Sequence, residues 1–267
     1  LMRKKILFLI AICFSFVASA QNITKANFYG PAGIQVNTHN GNMFHQRGDV
    51  AISSIGPNLS LGFSYNSGKT KLNYGYGSGW TFNYNLLYEF DVMDIIIRRG
   101  DGRKDVFTFT ALGYQAPTGI FDTLVEYQVG KYRLTTKGQT DYYFDNSSHK
   151  RLTSIQDKNN NTLSLSYTDS LATTITDASG RSLSLNYTNG HLTSVVDNNA
   201  SPARTITYEN AANNCLSKVT DADGNSFDYF YDKNKSIIQI NNLRSINCDI
   251  IYDNEQRVSG IKMADTD

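Results

Sequence analysis

The sequence predicts an all-β chain of antiparallel β-hairpin repeats stacked edge to edge into a long, coiling sheet, and three observations carry that expectation. A strand-ending aromatic recurs at Phe144, Tyr167, Tyr187, Tyr208, Tyr231 and Tyr252, at separations of 23, 20, 21, 23 and 21 residues. Self-similarity at such a period is the mark of a repeat architecture. A second series sets an apolar residue, a β-branched residue and an Asp in fixed order: Leu152, Ile155, Asp157; Leu171, Ile175, Asp177; Leu192, Val195, Asp197; Leu216, Val219, Asp221. The Leu171 copy carries one extra spacer. Third, the residues leading to the aromatics alternate, as in Leu163-Ser164-Leu165-Ser166-Tyr167 and Leu183-Ser184-Leu185-Asn186-Tyr187. Period-2 alternation puts Leu, Leu and Tyr on one face of a strand.

Composition narrows the function classes. The 267 residues include 25 Lys or Arg and 24 Asp or Glu, a formal net charge of +1. A nucleic-acid binder normally shows a basic excess or stripe, so nucleic acid is not expected as a partner. With 18% charged and 12% aromatic residues the chain is also too apolar for global disorder. Its Gly, Asn, Ser and Thr suit short strands joined by tight turns.

Taken in order, residues 1–20 read as a secretory signal peptide: the basic head Arg3-Lys4-Lys5, the apolar run from Ile6 to Val17, then Ala18-Ser19-Ala20, with cleavage expected after Ala20. Twelve residues are too few for a bilayer-spanning helix, which needs about 20, so no membrane span is expected after cleavage. Cys13 lies between Ile12 and Phe14, not the small residues a lipid-attachment site would use, and lipid anchoring is not expected. The remaining two cysteines, Cys215 and Cys248, fit either a disulfide or two separate half-buried thiols.

Residues 21–140 read as a β-rich segment preceding the repeats, with candidate strands at Asp49–Ser53, Leu59–Tyr65, Trp80–Leu86, Tyr88–Ile97, Asp105–Thr110 and Tyr142–Asp145. Gly75, Gly77 and Gly79 are expected to let the chain bend tightly so that Trp80 packs inward. The segment reads as the opening of the same sheet or as a plug beside it. Residues 141–267 read as about six hairpin repeats, with the series cut short at its C-terminal end. Between the Asp of one strand and the next strand stand turn formers such as Ala178-Ser179-Gly180 and Ala222-Asp223-Gly224. A lone hairpin buries too little apolar surface to offset its ordering entropy, so neighbours must cover one another.

No catalytic, cofactor or metal site is expected. His39 and His45 lack a third ligand at metal-like spacing, and His191 takes the place that Arg151 and Arg257 hold in sister repeats. Asp221-Ala222-Asp223-Gly224-Asn225 begins like a calcium loop, yet Ser226 stands where Gly is required and Asp232 where Glu is required, so it reads as a hairpin turn. Arg47-Gly48-Asp49 and Arg99-Gly100-Asp101 spell an adhesion tripeptide but fall where turns are expected. Cys215 has no nearby His to activate it. The recurring tyrosines suit packing between hairpins better than a sugar-stacking platform.

The units Phe230-Tyr231-Asp232, Ile251-Tyr252-Asp253 and Phe144-Asp145, spaced by stretches such as Arg151-Leu152-Thr153-Ser154-Ile155, resemble the repeats of the Rhs/YD-repeat family. Tyr167, Tyr187 and Tyr208 are followed by Thr168, Thr188 and Glu209, so those copies depart from the pattern. Leu59 to Ser67, Tyr76 to Tyr84 and Arg99 to Arg103 are similar to the segment that precedes the repeats in such proteins. The resemblance implies a shell-like sheet, here a partial shell, in a secreted or cell-surface polymorphic-toxin protein. It implies partners within the same polypeptide: further repeats and a C-terminal toxin domain that the shell encloses. The alternative reading is a cell-surface adhesin or carbohydrate-binding repeat protein contacting surface glycans. An enzyme has no residues to support it.

Overall fold

The computed structural model describes residues 33–145, 148–242 and 246–263, with the backbone alone at residue 246. The expected signal peptide, its cleavage site and Cys13 lie outside the described residues. Ile34–Val36 (β1), Met43–Ile52 (β2), Leu59–Asn66 (β3) and Trp80–Phe82 (β4) form a four-stranded antiparallel sheet in chain order. The rest is a meander in which each strand pairs antiparallel with the next. It begins with Leu87–Asp91 (β5), Asp94–Arg98 (β6), Lys104–Thr110 (β7), Gly113–Gln115 (β8), Thr123–Gln128 (β9), Lys131–Thr135 (β10) and Asp141–Phe144 (β11). It continues with Ser154–Gln156 (β12), Thr162–Thr168 (β13), Leu171–Thr176 (β14), Ser182–Thr188 (β15), His191–Asp197 (β16) and Arg204–Asn210 (β17). Leu216–Thr220 (β18), Ser226–Tyr231 (β19), Ile237–Asn242 (β20), Ile246–Tyr252 (β21) and Val258–Met263 (β22) complete it.

The stretch before residue 141 contains both arrangements that the sequence left open. Residues 34–82 make the separate small sheet, while β5 to β10 already belong to the meander, which passes from Thr135 to Asp141 without a break. One apolar core joins the two parts: Phe63, Tyr65, Trp80 and Phe82 of the small sheet pack with Leu163, Leu183, Leu216 and Ile240 of the meander. Loops of the small sheet reach the meander's turns. Arg181 donates to the Ser53 carbonyl, Asn161 Nδ2 to the Ile55 carbonyl at 3.2 Å, and the Ser78 N–H to the Asn214 carbonyl at 2.8 Å. The Leu192 N–H donates to the Gly75 carbonyl at 2.8 Å and the Val258 N–H to the Gly41 carbonyl at 2.8 Å. The wound sheet thus lies against the small one along several of its turns.

The turn chemistry explains why hairpins form where they do. Asp177 Oδ1 accepts the N–H groups of Ser179 and Arg181, both at 2.9 Å, and Gly180 between them has φ 81°. Asp157, Asp221 and Asp253 repeat the arrangement, with Asn160, Gly224 and Gln256 in the left-handed region. The carboxylate replaces the ladder partners that a turn withdraws. Gly77, at φ 101°, lies so close to Leu216 that a Cβ would stand 2.8 Å from its N atom, and Trp80 three residues on is buried.

Three expected strands change. Asp49–Ser53 is the tail of a longer strand, β2, and Trp80–Leu86 stops at Phe82, where the Asn85 N–H turns back to the Phe82 carbonyl. Tyr88–Ile97 is two strands, because Asp91 pairs with Asp94 across a two-residue turn at Val92 and Met93. Strand-forming side chains hid that turn, and Val92 occupies it at φ 58°.

Candidate functional site

A buried polar cluster lies where β2 meets β17 and β19 of the meander. A bulge in β2 leaves Asp49 as the extra residue between the Gly48–Gly62 and Val50–Leu61 pairs. The Arg47 guanidinium forks onto it, Nε at 2.7 Å from Oδ1 and Nη2 at 2.8 Å from Oδ2, with both side chains almost wholly buried. Asp49 also accepts the Tyr208 hydroxyl from β17. Four rings surround the guanidinium carbon: Phe63 at 5.6 Å, Tyr208 at 5.7 Å, Trp80 at 5.8 Å and Tyr229 at 6.0 Å. Burial is the largest single influence on Arg47 and opposes its charge, but Asp49 with the Tyr229 and Tyr208 oxygens outweighs it, so its pKa is raised. Burial first, then the Asp49 carboxylate, raises the Tyr208 hydroxyl.

His45, two residues earlier on β2, has Nε2 3.3 Å from the Tyr229 hydroxyl and its ring edge-on to Trp80 at 5.8 Å. Trp80 Nε1 donates to the Tyr231 hydroxyl at 2.9 Å, and the Tyr65 hydroxyl donates to the Lys235 carbonyl at 3.0 Å. These groups hold one another largely inside the protein. Chemically the cluster is an anchor between the small sheet and the wound one.

The repeat markers fall into a second pattern. Tyr167, Tyr187, Tyr231 and Tyr252 each donate to the carbonyl 15 residues upstream, those of Leu152, Ala172, Leu216 and Ile237, at 2.7, 2.9, 2.7 and 3.0 Å. Each sits at a bulge, where the ladder register slips by one residue. Phe144 is fully buried against Tyr88 and has no hydroxyl to donate. Tyr208 stands elsewhere: the slip in β17 comes at Asn210, whose Nδ2 donates to the Leu192 carbonyl at 3.2 Å. The spacing therefore places Tyr208 two residues ahead of the position its sister tyrosines hold, and its hydroxyl turns to Asp49 instead. Asp197 Oδ1 accepts both the N–H and the Nδ2 of Asn199, at 3.0 and 2.7 Å, and the connection that follows it is longer than in the sister hairpins.

The other sequence candidates separate. His39 lies in an exposed turn and His45 in the core, and among the described residues no group of three or more His, Cys, Asp or Glu converges on a metal position. Both Arg47 and Asp49 are inside the protein, and Arg99 is held by Asp105 at 2.7 Å and Asp122 at 2.6 Å, so neither tripeptide presents its arginine outward. Asp221 Oδ1 is occupied by the N–H groups of Asp223 and Asn225, as the hairpin reading requires. Cys215 and Cys248 are free, buried thiols, and burial pushes both upward in pKa. Sequence reasoning missed the Arg47–Asp49 pair as a site, and its only local signal was a charged couple inside an otherwise β-forming run.

Comparison with known proteins gives two findings. Residues 33–107, covering β1 to most of β7, match a family described as a domain of unknown function, DUF6531. The chain is 32% identical over 140 residues to the tRNA3(Ser)-specific nuclease WapA of Bacillus spizizenii, and 33% identical over 140 residues to the tRNA nuclease WapA of Bacillus subtilis strain 168. The tRNA(Glu)-specific nuclease WapA of Bacillus subtilis subsp. natto is likewise 33% identical over 140 residues. Each match covers 52% of this chain and 6% of the relative. The likeness is compatible with an Rhs/YD-type repeat protein.

Proposed function

We propose that this chain is a secreted Rhs/YD-repeat structural protein, wall material of a β-shell that encloses and delivers a C-terminal toxin domain of the same polypeptide. The observation that carries the reading is the wound meander itself, whose hairpins are tied to one another by tyrosine-to-carbonyl bonds and to a small inner sheet by the Arg47–Asp49–Tyr208 anchor. A wall needs stiffness and closure more than a reactive cleft. The described polar clusters supply those: their carboxylates cap turns or pair with arginines, and their hydroxyls bond carbonyls.

Mechanistically the chain contributes containment. A continuous ladder leaves few free strand edges, and the apolar core shared by the small sheet and the meander keeps water from the faces that meet. In this reading the chain is not itself an enzyme. The nuclease activity in the names of the similar proteins belongs to those proteins, and any toxic activity here would reside outside these residues. Export through residues 1–20 places the shell outside the cell or on its surface.

Sequencing the coding region past Asp267 tests the proposal. Further repeats followed by an unrelated domain are the expected result. A stop codon directly after Asp267 would overturn it and leave the adhesin reading in its place.

A further inference from the structure

A cleft of about 600 Å³ opens between the loops of the small sheet and the β6–β7 turn, lined on one side by Asn37, Asn40, Asn42, Asn66 and Lys69 and on the other by Lys104. We infer that it binds an acidic carbohydrate, a short oligosaccharide or polyol chain carrying carboxylate or phosphate groups. The inference goes beyond the shell role and stands apart from it.

The amides are oriented by their own backbone. Asn37 Oδ1 accepts the His39 N–H at 2.9 Å, Asn40 Oδ1 the Asn42 N–H at 3.1 Å, Asn42 Oδ1 the Gly68 N–H at 2.6 Å, and Asn66 Oδ1 the Gly68 N–H at 3.0 Å. Each oxygen already accepts a peptide N–H, and the Nδ2 hydrogens are the donors these four side chains have left for a ligand. A surface of donors calls for a ligand rich in acceptors, which sugar hydroxyls and their anionic substituents supply.

The charges point the same way. Among the described residues neither Lys69 nor Lys104 is in an ion pair, and of the two carboxylates that line the cleft Asp105 is neutralised by arginines while Asp101 caps a backbone N–H. Asp105 is held by Arg99 at 2.7 Å and by Arg103 at 3.2 Å, and Asp101 Oδ1 caps the Arg103 N–H at 2.9 Å. Lys69 is partly buried beside like charges on Lys104 and on Arg98, which Glu89 neutralises at 2.6 Å. Lys69 and Lys104 repel each other, the one carboxylate of the lining outside an ion pair, Asp101, answers only one of the two charges, and a bound anion would relieve the rest of that repulsion. Phe44 and Ile120 add an apolar patch for the C–H face of a sugar ring. A cleft of this size takes roughly a drug-sized ligand, the dimensions of two or three sugar units.

The test is isothermal titration of the full chain with oligogalacturonate, with an oligomer of glycerol phosphate, with neutral galacto-oligosaccharide and with inorganic phosphate. Saturable binding of one or both acidic oligomers, at least tenfold tighter than the neutral oligomer and than phosphate, is expected, and which of the two binds identifies the anionic group. The paired variant Lys69→Gln, Lys104→Gln should lose tenfold or more in affinity while keeping its thermal midpoint, since both side chains touch solvent. No binding of either acidic oligomer overturns the inference, as does equal binding of the neutral oligomer or undiminished binding by the variant. Phosphate binding as tightly as the oligomers would reduce the cleft to a simple anion site and overturn the carbohydrate assignment. All of these outcomes leave the downstream sequence, and so the shell reading, untouched.

Discussion

Arg47 and Asp49 face each other across one residue of β2 as an almost wholly buried, forked ion pair whose carboxylate is shared with Tyr208, 159 residues further along the chain. Taking two charges out of water is costly, and the pair holds only because each is answered. Removing one partner strands the other. Arg47→Ala should therefore cost about 3–5 kcal/mol, whereas Arg47→Met combined with Asp49→Leu should cost much less than the two single changes added. Urea unfolding of the parent, Arg47→Ala, Arg47→Met, Asp49→Leu and the Arg47→Met, Asp49→Leu double variant measures both numbers, and strict additivity in the cycle would show that the two side chains are not coupled.

The tyrosine ladder makes a separable contribution. Tyr187→Phe keeps the ring and leaves the Ala172 carbonyl without its donor, which should cost about 1–2 kcal/mol. Two places in the series lack that bond: Phe144, which has no hydroxyl, and Tyr208, whose hydroxyl goes to Asp49. Burial pushes the Tyr187 hydroxyl up to about 12 and raises Tyr167, Tyr231 and Tyr252 as well. A pKa raised by folding stabilises the protein fully below the unfolded value, about 10, and that stabilisation is lost as the pH rises through the folded one. Absorbance titration should show these tyrosines ionising only together with unfolding above pH ~10; a smooth titration of all 17 tyrosines with native circular dichroism would refute it.

Acid acts through the turns. Hydrogen bonds from Asn161 hold Asp157 below the usual carboxylate range, and those from Arg257 do the same for Asp253. A depressed pKa stabilises above the unfolded value, about 3.9, and that contribution disappears as the pH falls through the folded one. Below pH ~4 the wild-type midpoint should drop. In the double variant Asp157→Asn, Asp253→Asn the pH slope in that window should be shallower, because Asn cannot titrate. Equal slopes for the two proteins would mean that other carboxylates govern acid unfolding.

Much of this fold was legible because its determinants are local. The Asp157, Asp177 and Asp221 turns are specified within five residues by side chains that cap their own backbone, and the Leu-Ser-Leu alternation of β13 and β15 gives the buried face directly. What escaped depends on distance or on a neighbour's irregularity. Tyr208 has the expected spacing, yet the longer connection after Asp197 shifts the register, so Asn210 holds the bulge. The anchor joins β2 to β17 and β19, an association that no short window of sequence contains. The amides of the cleft come from the β1–β2 connection and from the end of β3, and read singly they are only turn formers.

The split of one expected strand into β5 and β6 has an energetic signature of its own. Val92 is β-branched, 94% exposed and held at φ 58°, while Met93 beside it is not in the left-handed region. A two-residue hairpin turn with positive φ at its first central position normally has Gly there. The strain of an L side chain in that region is about 1–2 kcal/mol, and Gly returns about 0.5–1 kcal/mol of that through its looser unfolded state. Val92→Gly should therefore stabilise the protein, by up to about 1 kcal/mol, worth roughly 2–4 °C in a chain of this size. At the β15–β16 turn the chain already uses Asn189 and Gly190, both at positive φ, so the same change there has nothing to relieve. Differential scanning calorimetry decides the matter: a lower midpoint for Val92→Gly than for the parent would show that the Val92 side chain, exposed as it is, contributes more than its backbone costs.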